Sequence, residues 1–444
     1  MNNGLPQGWA EIELRECVDV LDNERVPVNS DERAKRQGDV PYYGATGQVG
    51  WIDEALFNEE LLLIGEDGAP FFDKSKPISY IIRGKSWVNN HAHVLRVRPN
   101  VSSNQYLKHF LDSFDFHEFV NGTTRLKLTQ GAMNRVPVRL PPLGEQRRMV
   151  AKLEKLLGKV DACQERLAKI PVLLKRFRQS VLAAACSGRL TADWRDENPR
   201  CLPPPAKPQS NESDVNFLTE DLPDGWQVQR VDHAATIIDC LHKTPKYADS
   251  GYPMVRVTDV KGGYLDLSSA RLVSEEVFRE FTRRYTPRRG DIVFSRVGSF
   301  GNVSYVGSDM KFCLGQNTAI ISPNTNSRFL HLSLQSPTVR DQMDAAAVGT
   351  SQPTISLKSI SALAVPIPPL AEQQEIVRRV EALFALSDQI EARYAKAKAH
   401  VEKLTQSILA KAFRGELVPQ DPNDEPAEAL LRRIRQQSKN GKKA

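Results

Sequence analysis

The sequence predicts an α+β protein in which two globular mixed α/β blocks alternate with two long helices. The helices are expected to pair as an antiparallel coiled coil with pseudo-two-fold symmetry. Three observations carry this. "PPLGEQRRMVAKLEKLL" from Pro141 returns as "PPLAEQQEIVRRVEALF" from Pro368, and residues 141–190 and 368–417 align without a gap at 19 identities in 50 positions. Composition alone would give roughly three. "LPQGW" at Leu5–Trp9 also returns, as "LPDGW" at Leu222–Trp226. Between these anchors the halves diverge, as repeats do when a scaffold is kept and its surface varies.

The first block, residues 1–140, shows strand-like apolar runs at Leu61–Gly65, Ile78–Gly84 and His93–Pro99, each bounded by Gly, Pro or Asn. Ser103–Val120 reads as a capped amphipathic helix. Residues 141–190 follow as a helix opened by Pro141–Pro142 and closed by Gly188. Its apolar residues recur in alternating steps of four and three: Met149, Leu153, Leu156, Val160, Cys163, Leu167, Ile170, Leu174, Phe177 and Val181. That narrow stripe is a coiled-coil seam. Pro171 predicts a kink. Residues 191–221 form a linker, whose Pro- and Ser-rich stretch Arg195–Asp214 is not expected to build a core.

The second block, 222–367, repeats the pattern with strands at Asp291–Gly298 and Asn317–Pro323, and "SRFLHLSLQSPTVRDQMDAAAV" stands where the first block has its helix. Both blocks then reach Gly–Thr, at Gly122–Thr123 and Gly349–Thr350. The second helix, 368–417, carries Ile376, Val380, Leu383, Ser387, Ile390, Tyr394, Ala397, Val401, Leu404 and Ile408 in the same frame, broken only by Ser387. Residues 418–444 form a tail.

A net charge of +6 is compatible with a nucleic-acid partner without requiring one. Six scattered cysteines with no CxxC pair argue against a disulfide framework or structural zinc and for a reducing cytoplasm. No apolar run is long enough to span a membrane, and "MNNGLPQGWAEIEL" lacks the pattern of a signal peptide.

Catalytic chemistry is poorly represented. The GKS of "RGKSW" (Arg83–Trp87) has Ser79 where a phosphate-binding loop needs glycine. "GEDG" (Gly65–Gly68) offers two carboxylates with no lysine at nuclease spacing. "HAH" (His91–His93) lacks a third ligand, so no metal is expected. No Asn-Pro-Pro-aromatic methyl-transfer site occurs. The chain is therefore read as no enzyme and as holding no cofactor.

Nucleic-acid chemistry is better supplied. Hydroxyls and cations gather in "NGTTRLKLTQ", with Thr123, Arg125 and Lys127, and suit phosphate oxygens. Seven arginines lie between Arg271 and Arg296, tempered by four acidic residues that also fit a solvated helix face. Tyr42 and Tyr43, Asn90 and His91, Arg256 and Thr258, Arg296 and Ser299, and Gln316 and Asn317 complete the candidate DNA contacts. Paired amides can read base edges bidentately.

At this point the residues resemble a family. The "PPLGEQ" and "PPLAEQ" helix starts, the ends "SVLAAACSGRL" and "SILAKAFRGEL", the two LPxGW openings and "GTTRLKLTQGAMNRVPVRLPP" are similar to the specificity subunit of Type I restriction–modification enzymes. The resemblance implies two target recognition domains, each reading one half of a split, asymmetric sequence in double-stranded DNA. It implies helices that set the gap between half-sites and dock two modification (methyltransferase) subunits, through which two restriction (translocase/endonuclease) subunits join. S-adenosylmethionine, ATP and Mg would belong to those partners. The family closes its circle by bringing the tail to the amino terminus, and Asp424–Gln437 looks like the helix for that task. A non-catalytic coiled-coil adaptor, or the recognition half of a fused restriction–methylation enzyme, are the rival readings.

Overall fold

The computed structural model describes residues 4–199, 222–349 and 352–441; most of the expected linker, 200–221, lies outside the described residues. The chain forms two compact units, Met1–Ala168 with Tyr394–Ala444, and Lys169–Arg393. Each unit therefore holds one α/β block and one end of both long helices.

In the first block, the continuous apolar run Leu61–Gly65 becomes a strand buried along its length, as expected for a strand covered on both faces. It lies in a four-stranded antiparallel sheet, ordered Val18–Val20, Ala92–Val97, Leu61–Gly65, Ser79–Ile82. A second sheet, ordered Gly47–Ile52, Val40–Gly44, Lys85–Val88, Phe57–Asn58, has a parallel pair at its centre. The second block repeats the first sheet as Ala235–Asp239, Thr318–Pro323, Ile292–Ser295, Val303–Tyr305. Its other sheet keeps a parallel pair, Tyr252–Val255 beside Cys313–Leu314. In each block a ribbon leads into the long helix, Ala10–Glu13 with Pro137–Leu140 and Gln227–Arg230 with Ala364–Ile367.

The expected helix at Ser103–Val120 is shorter. Ser103 caps it, accepting from the Tyr106 amide, but it spans only Asn104–Ser113, because Phe114 and Phe116 turn inward to pack edge-to-face. Its counterpart is two helices, Ser327–Ser333 and Pro337–Ala346, since Ser336 caps a new start at Pro337. The linker's first residues are also ordered: Arg195 sits in the helix Ala192–Glu197.

The long helices span Leu143–Cys186 and Leu370–Ala412. The first runs unbroken through Pro171, whose ring removes one backbone donor without ending a helix of 44 residues. In the first unit, Met149 and Leu153 join one core with Leu409, Ala412 and Phe413, with Ile408 packed beside them. Val160 is buried, Leu156, Leu167, Tyr394, Val401 and Leu404 are half-buried, and Cys163 is exposed. In the second unit, Val181, Leu182 and Ala185 pack with Ile376 and Val380, flanked by Leu383. Arg178 reaches forward to Ser387, Asp388 and Glu391, so numbers rise on one helix as they fall on the other. Ile170 and Leu174 are half-buried.

The seam is not continuous. Phe177 is 37% exposed and Ile390 39%. Here a polar clamp replaces apolar packing, with the Arg178 guanidinium over the Phe384 ring and bonded to the acidic side chains. Ser387, which breaks the apolar line in the sequence, is fully buried and accepts from Arg178 Nε at 3.0 Å. A buried hydroxyl with a partner is tolerated where an unpaired one would not be.

The repeated motifs meet in space, which explains why they recur together. Trp9 Nε1 donates to Glu145 Oε2 at 3.0 Å, and Trp226 Nε1 to Glu372 Oε2 at 2.9 Å. Gln146 and Gln373 then donate to the carbonyls of Pro141 and Pro368. Each LPxGW thus locks one PPLxEQ and fixes the angle at which a block meets its helix. In the first unit the tail helix Ala427–Gly441 seals the same corner. The Ala427 amide donates to the Gly8 carbonyl, Ala427 and Leu431 enter the core, and Arg148 pairs with Asp424 at 2.6 Å.

Candidate nucleic-acid interface

Three chain segments converge at one edge of each block. In the first they are Gly65–Gly68 after a central strand, Asn89–His91 before another, and the turn 122–128. Backbone bonds hold them in register: the Glu66 amide donates to the His91 carbonyl at 2.8 Å, and the Leu128 amide to the Glu66 carbonyl at 2.7 Å. The second block uses the same bonds, Arg296 to Asn317 at 2.9 Å and Ile355 to Arg296 at 3.0 Å. Glu66 thus corresponds to Arg296, His91 to Asn317, Asn90 to Gln316 and Lys127 to Thr354. Asn317 has φ of 62°, a left-handed conformation asparagine tolerates better than most residues.

On the first face Asp67 is the hub. Its Oδ1 lies 2.8 Å from His91 Nδ1 and 2.9 Å from Arg125 Nη2. The Arg125 side chain is 61% exposed, so it is anchored at one end and open to a ligand. Lys127 Nζ sits 3.1 Å from Glu66 Oε1, so the lysine missing from the local sequence arrives from 61 positions downstream. Asn90 and Thr123 are exposed. Beneath them His93 is buried, with Nδ1 facing Asp22 at 2.6 Å and Nε2 facing the Leu128 carbonyl at 2.8 Å. Asp22, Glu66 and His93 converge closely enough to ligate a metal, but Arg25 pairs with both carboxylates and already supplies the positive charge.

Tyr42 does not belong to this face. It is 1% exposed, donates to the Val28 carbonyl at 3.1 Å and carries Arg33 over its ring. The strand Val40–Gly44 alternates buried and half-buried residues, so Tyr42 points into the core with Val40. Tyr43 is half-buried and packs against Tyr80, though its carbonyl holds the Asn89 amide at the edge of the face.

On the second face Gln316, Ser299 and Thr258 are exposed, as is Asn317. Arg296 turns inward, with Nη1 2.9 Å from Asp239 and a side chain 15% exposed, so it braces the face. The arginine-rich stretch divides. Arg279 and Arg289 pair with Glu275 and Asp309, and Arg271 lies over Tyr247. Arg283 and Arg284 have no acidic partner among the described residues and line a cleft with Lys243 and Tyr285. Sequence reasoning passed over Glu66 and Asp67 as partners on the first face, and Asp259 on the second. Their only sequence signal was acidity beside glycine, for Glu66 and Asp67, or three positions after an arginine, for Asp259.

Known proteins share this organisation. The chain matches the family described as Type I restriction modification DNA specificity domain over residues 6–172 and again over 223–399. It is 36% identical over 331 residues to the Type I restriction enzyme EcoBI specificity subunit of Escherichia coli, across 69% of this chain and 65% of that subunit. With the EcoDI specificity subunit of Escherichia coli it shares 30% identity across 99% of this chain and 98% of the relative. Among solved structures, the HsdS subunit from Thermoanaerobacter tengcongensis aligns with a TM-score of 0.54 and 18% identity, covering 94% of this chain and 100% of that one. A chain from a structure of a type I R-M system aligns at 0.64 and 19%, covering 93% and 99%; these two speak for the fold. No helix among the described residues is long and apolar enough to cross a membrane. The duplicated corner, the duplicated face and these matches together mean that the chain belongs to the Type I restriction–modification DNA specificity family and carries its domain twice.

Proposed function

We propose that the chain is the non-catalytic DNA-recognition subunit of a cytoplasmic Type I restriction–modification complex. Each α/β block reads one half of a bipartite, asymmetric site in the major groove. The long helices set the gap and dock two modification subunits, and two restriction subunits join through these. S-adenosylmethionine, ATP and Mg act in the partners. The single observation that carries this reading is the pair of edge faces: one backbone scaffold, used twice, bearing different side chains. A scaffold held by main-chain bonds can change its side chains without refolding, which is what two readers of unlike half-sites require.

Two manipulations test it, each read by mapping methylated positions across a genome in cells that also supply the modification subunits. Replacing residues 1–140 with the corresponding block of a relative changes one half-site and leaves the other; a change in both sinks the assignment of one block to one half. Inserting seven residues into both long helices adds roughly 10 Å of helix, about three base pairs at 3.4 Å each. The gap lengthens accordingly while both half-sites stay as they were. An unaltered gap overturns the spacer role.

A further inference from the structure

The strongest unassigned feature is a single arginine on the second face. Arg256 follows the strand Tyr252–Val255, beside Gly315, Gln316 and Asn317; the Gly315 amide donates to the Val255 carbonyl at 2.7 Å. Its guanidinium is forked onto one carboxylate, with Nε 3.0 Å from Asp259 Oδ2 and Nη2 3.0 Å from Oδ1. The Arg256 amide donates to the same Oδ2 at 2.9 Å. Asp259 is buried, with a side chain 6% exposed, while that of Arg256 is 31% exposed. One carboxylate therefore fixes the backbone and the side edge of one arginine together.

A guanidinium has two bidentate edges. Asp259 takes the Nε/Nη2 edge. The Nη1/Nη2 edge has no partner among the described residues, and its paired N–H groups also match two adjacent acceptors. Other arginines here are forked on carboxylates, such as Arg96 on Glu59, but that one lies on a sheet strand. On the face itself Arg296 is consumed inward and Arg125 is held by one nitrogen to Asp67. Among the described residues, Arg256 alone combines a clamped edge, a free edge and a place on the face.

Space for it is made by its equivalents. The matched backbone bonds, Asn89 amide to Tyr43 carbonyl and Gly315 amide to Val255 carbonyl, equate Gly44 with Arg256 and Asn89 with Gly315. A Cβ on Gly44 would meet Asn89 Nδ2 at 3.3 Å, and one on Gly315 would meet Arg256 Cγ at 3.5 Å. One small and one large residue share the position in each block, on opposite sides.

We propose that Arg256 reads a guanine in the half-site of the second block, donating to O6 and N7 in the major groove, and that Asp259 is its positioning residue. Guanine is the base that presents two acceptors at this spacing. The proposal rests on the reading of the chain as a DNA-recognition subunit.

The test uses the full chain assembled with its modification subunits and a DNA library randomised across the second half-site, with methylation and salt-dependent binding as readouts. The unaltered protein requires guanine at one position. Arg256→Ala lowers discrimination there by about 10- to 100-fold, and leaves the first half-site unchanged, which also reports correct folding. Arg256→Lys keeps the charge but fails to restore discrimination, and Asp259→Asn gives a partial loss at the same position. Full recovery of discrimination by Arg256→Lys overturns the forked geometry and with it the positioning role of Asp259. A uniform loss of binding across sequences in Arg256→Ala, with the salt slope reduced by about one, makes Arg256 a phosphate contact and overturns the proposal. So does a second half-site with no required guanine. If the unaltered assembly shows no sequence preference at all, the underlying reading of the chain is what fails.

Discussion

The first α/β block presents Asp67, His91, Arg125 and Lys127 at the edge where the second presents Val297, Asn317, Gln352 and Thr354. Beneath that edge the first buries His93, and the second buries Ala319 at the position given by the same strand register. Acid stands against base at one equivalent pair, Glu66 against Arg296. Despite this, the backbone bonds that assemble the three segments are the same bonds. The difference teaches where specificity can live. Segments kept in register by main-chain donors and acceptors hold their place when the side chains above them change, whereas a face held by side chains alone would collapse.

The corners beneath the faces differ as well, and here the difference is energetic. Glu372 is fully buried and fully satisfied: Oε2 accepts from Trp226, and Oε1 from Thr191 at 2.7 Å and Arg195 at 2.5 Å. Glu145 is equally buried and accepts from Trp9, but its Oε1 has no partner. Substitution should therefore separate the two. Glu372→Gln leaves Arg195, whose side chain is 14% exposed, without its counter-charge, and should cost about 3–5 kcal/mol. Glu145→Gln removes a charge already short of partners and should cost no more than about 1 kcal/mol. Denaturant midpoints measured on peptides from each unit by hydrogen exchange check this. Equal losses would mean that the corners are energetically alike.

The seam allows a second separation. Leu153 is fully buried, and Leu153→Ala should lower the stability of the first unit by about 2–5 kcal/mol. Ile390, 39% exposed, should cost about 1 kcal/mol or less on the same truncation. A large effect at Ile390 would show that it packs as tightly as the heptad pattern suggests, against the exposure seen here.

How much of this could be read in advance follows from what each feature depends on. The helices were legible because heptad spacing is a property of one helix, and so were central strands such as Leu61–Gly65, whose burial makes them apolar throughout. The corner was half legible: LPxGW and PPLxEQ were visible as repeats, but the indole-to-carboxylate bond joining them spans 136 positions. The faces were least legible. Lys127 meets Glu66 and Arg125 meets Asp67 only because a sheet brings distant turns together. Tyr42 was misplaced by composition, although the alternation of Val40–Gly44 already sets it on the buried side with Val40. Phe177 and Ile390 show the converse, a correct period whose partner is a charged clamp.

Acid offers the finest comparison of the two corners. Burial pushes the Glu145 carboxyl above its ordinary 4.5, against the pull of Trp9. A group raised on folding binds protons more tightly in the native state, so its contribution favours folding below pH 4.5 and is lost as pH rises through the raised value. The equivalent joint on the second helix behaves oppositely. Arg378 and then Arg379 hold Glu375 down at about 2, and Arg379 also holds Asp193 below its usual range. Those contributions are present above the ordinary carboxylate values and are lost as pH falls toward 2. Acidification from pH 5 to pH 2.5 should therefore reduce amide protection at the start of the second long helix, residues 370–384, before it does so at the start of the first, residues 143–157. Hydrogen exchange corrected for intrinsic rates measures this directly. Simultaneous loss, or earlier loss in the first helix, would show that the arginine clamp on Glu375 does not govern that joint.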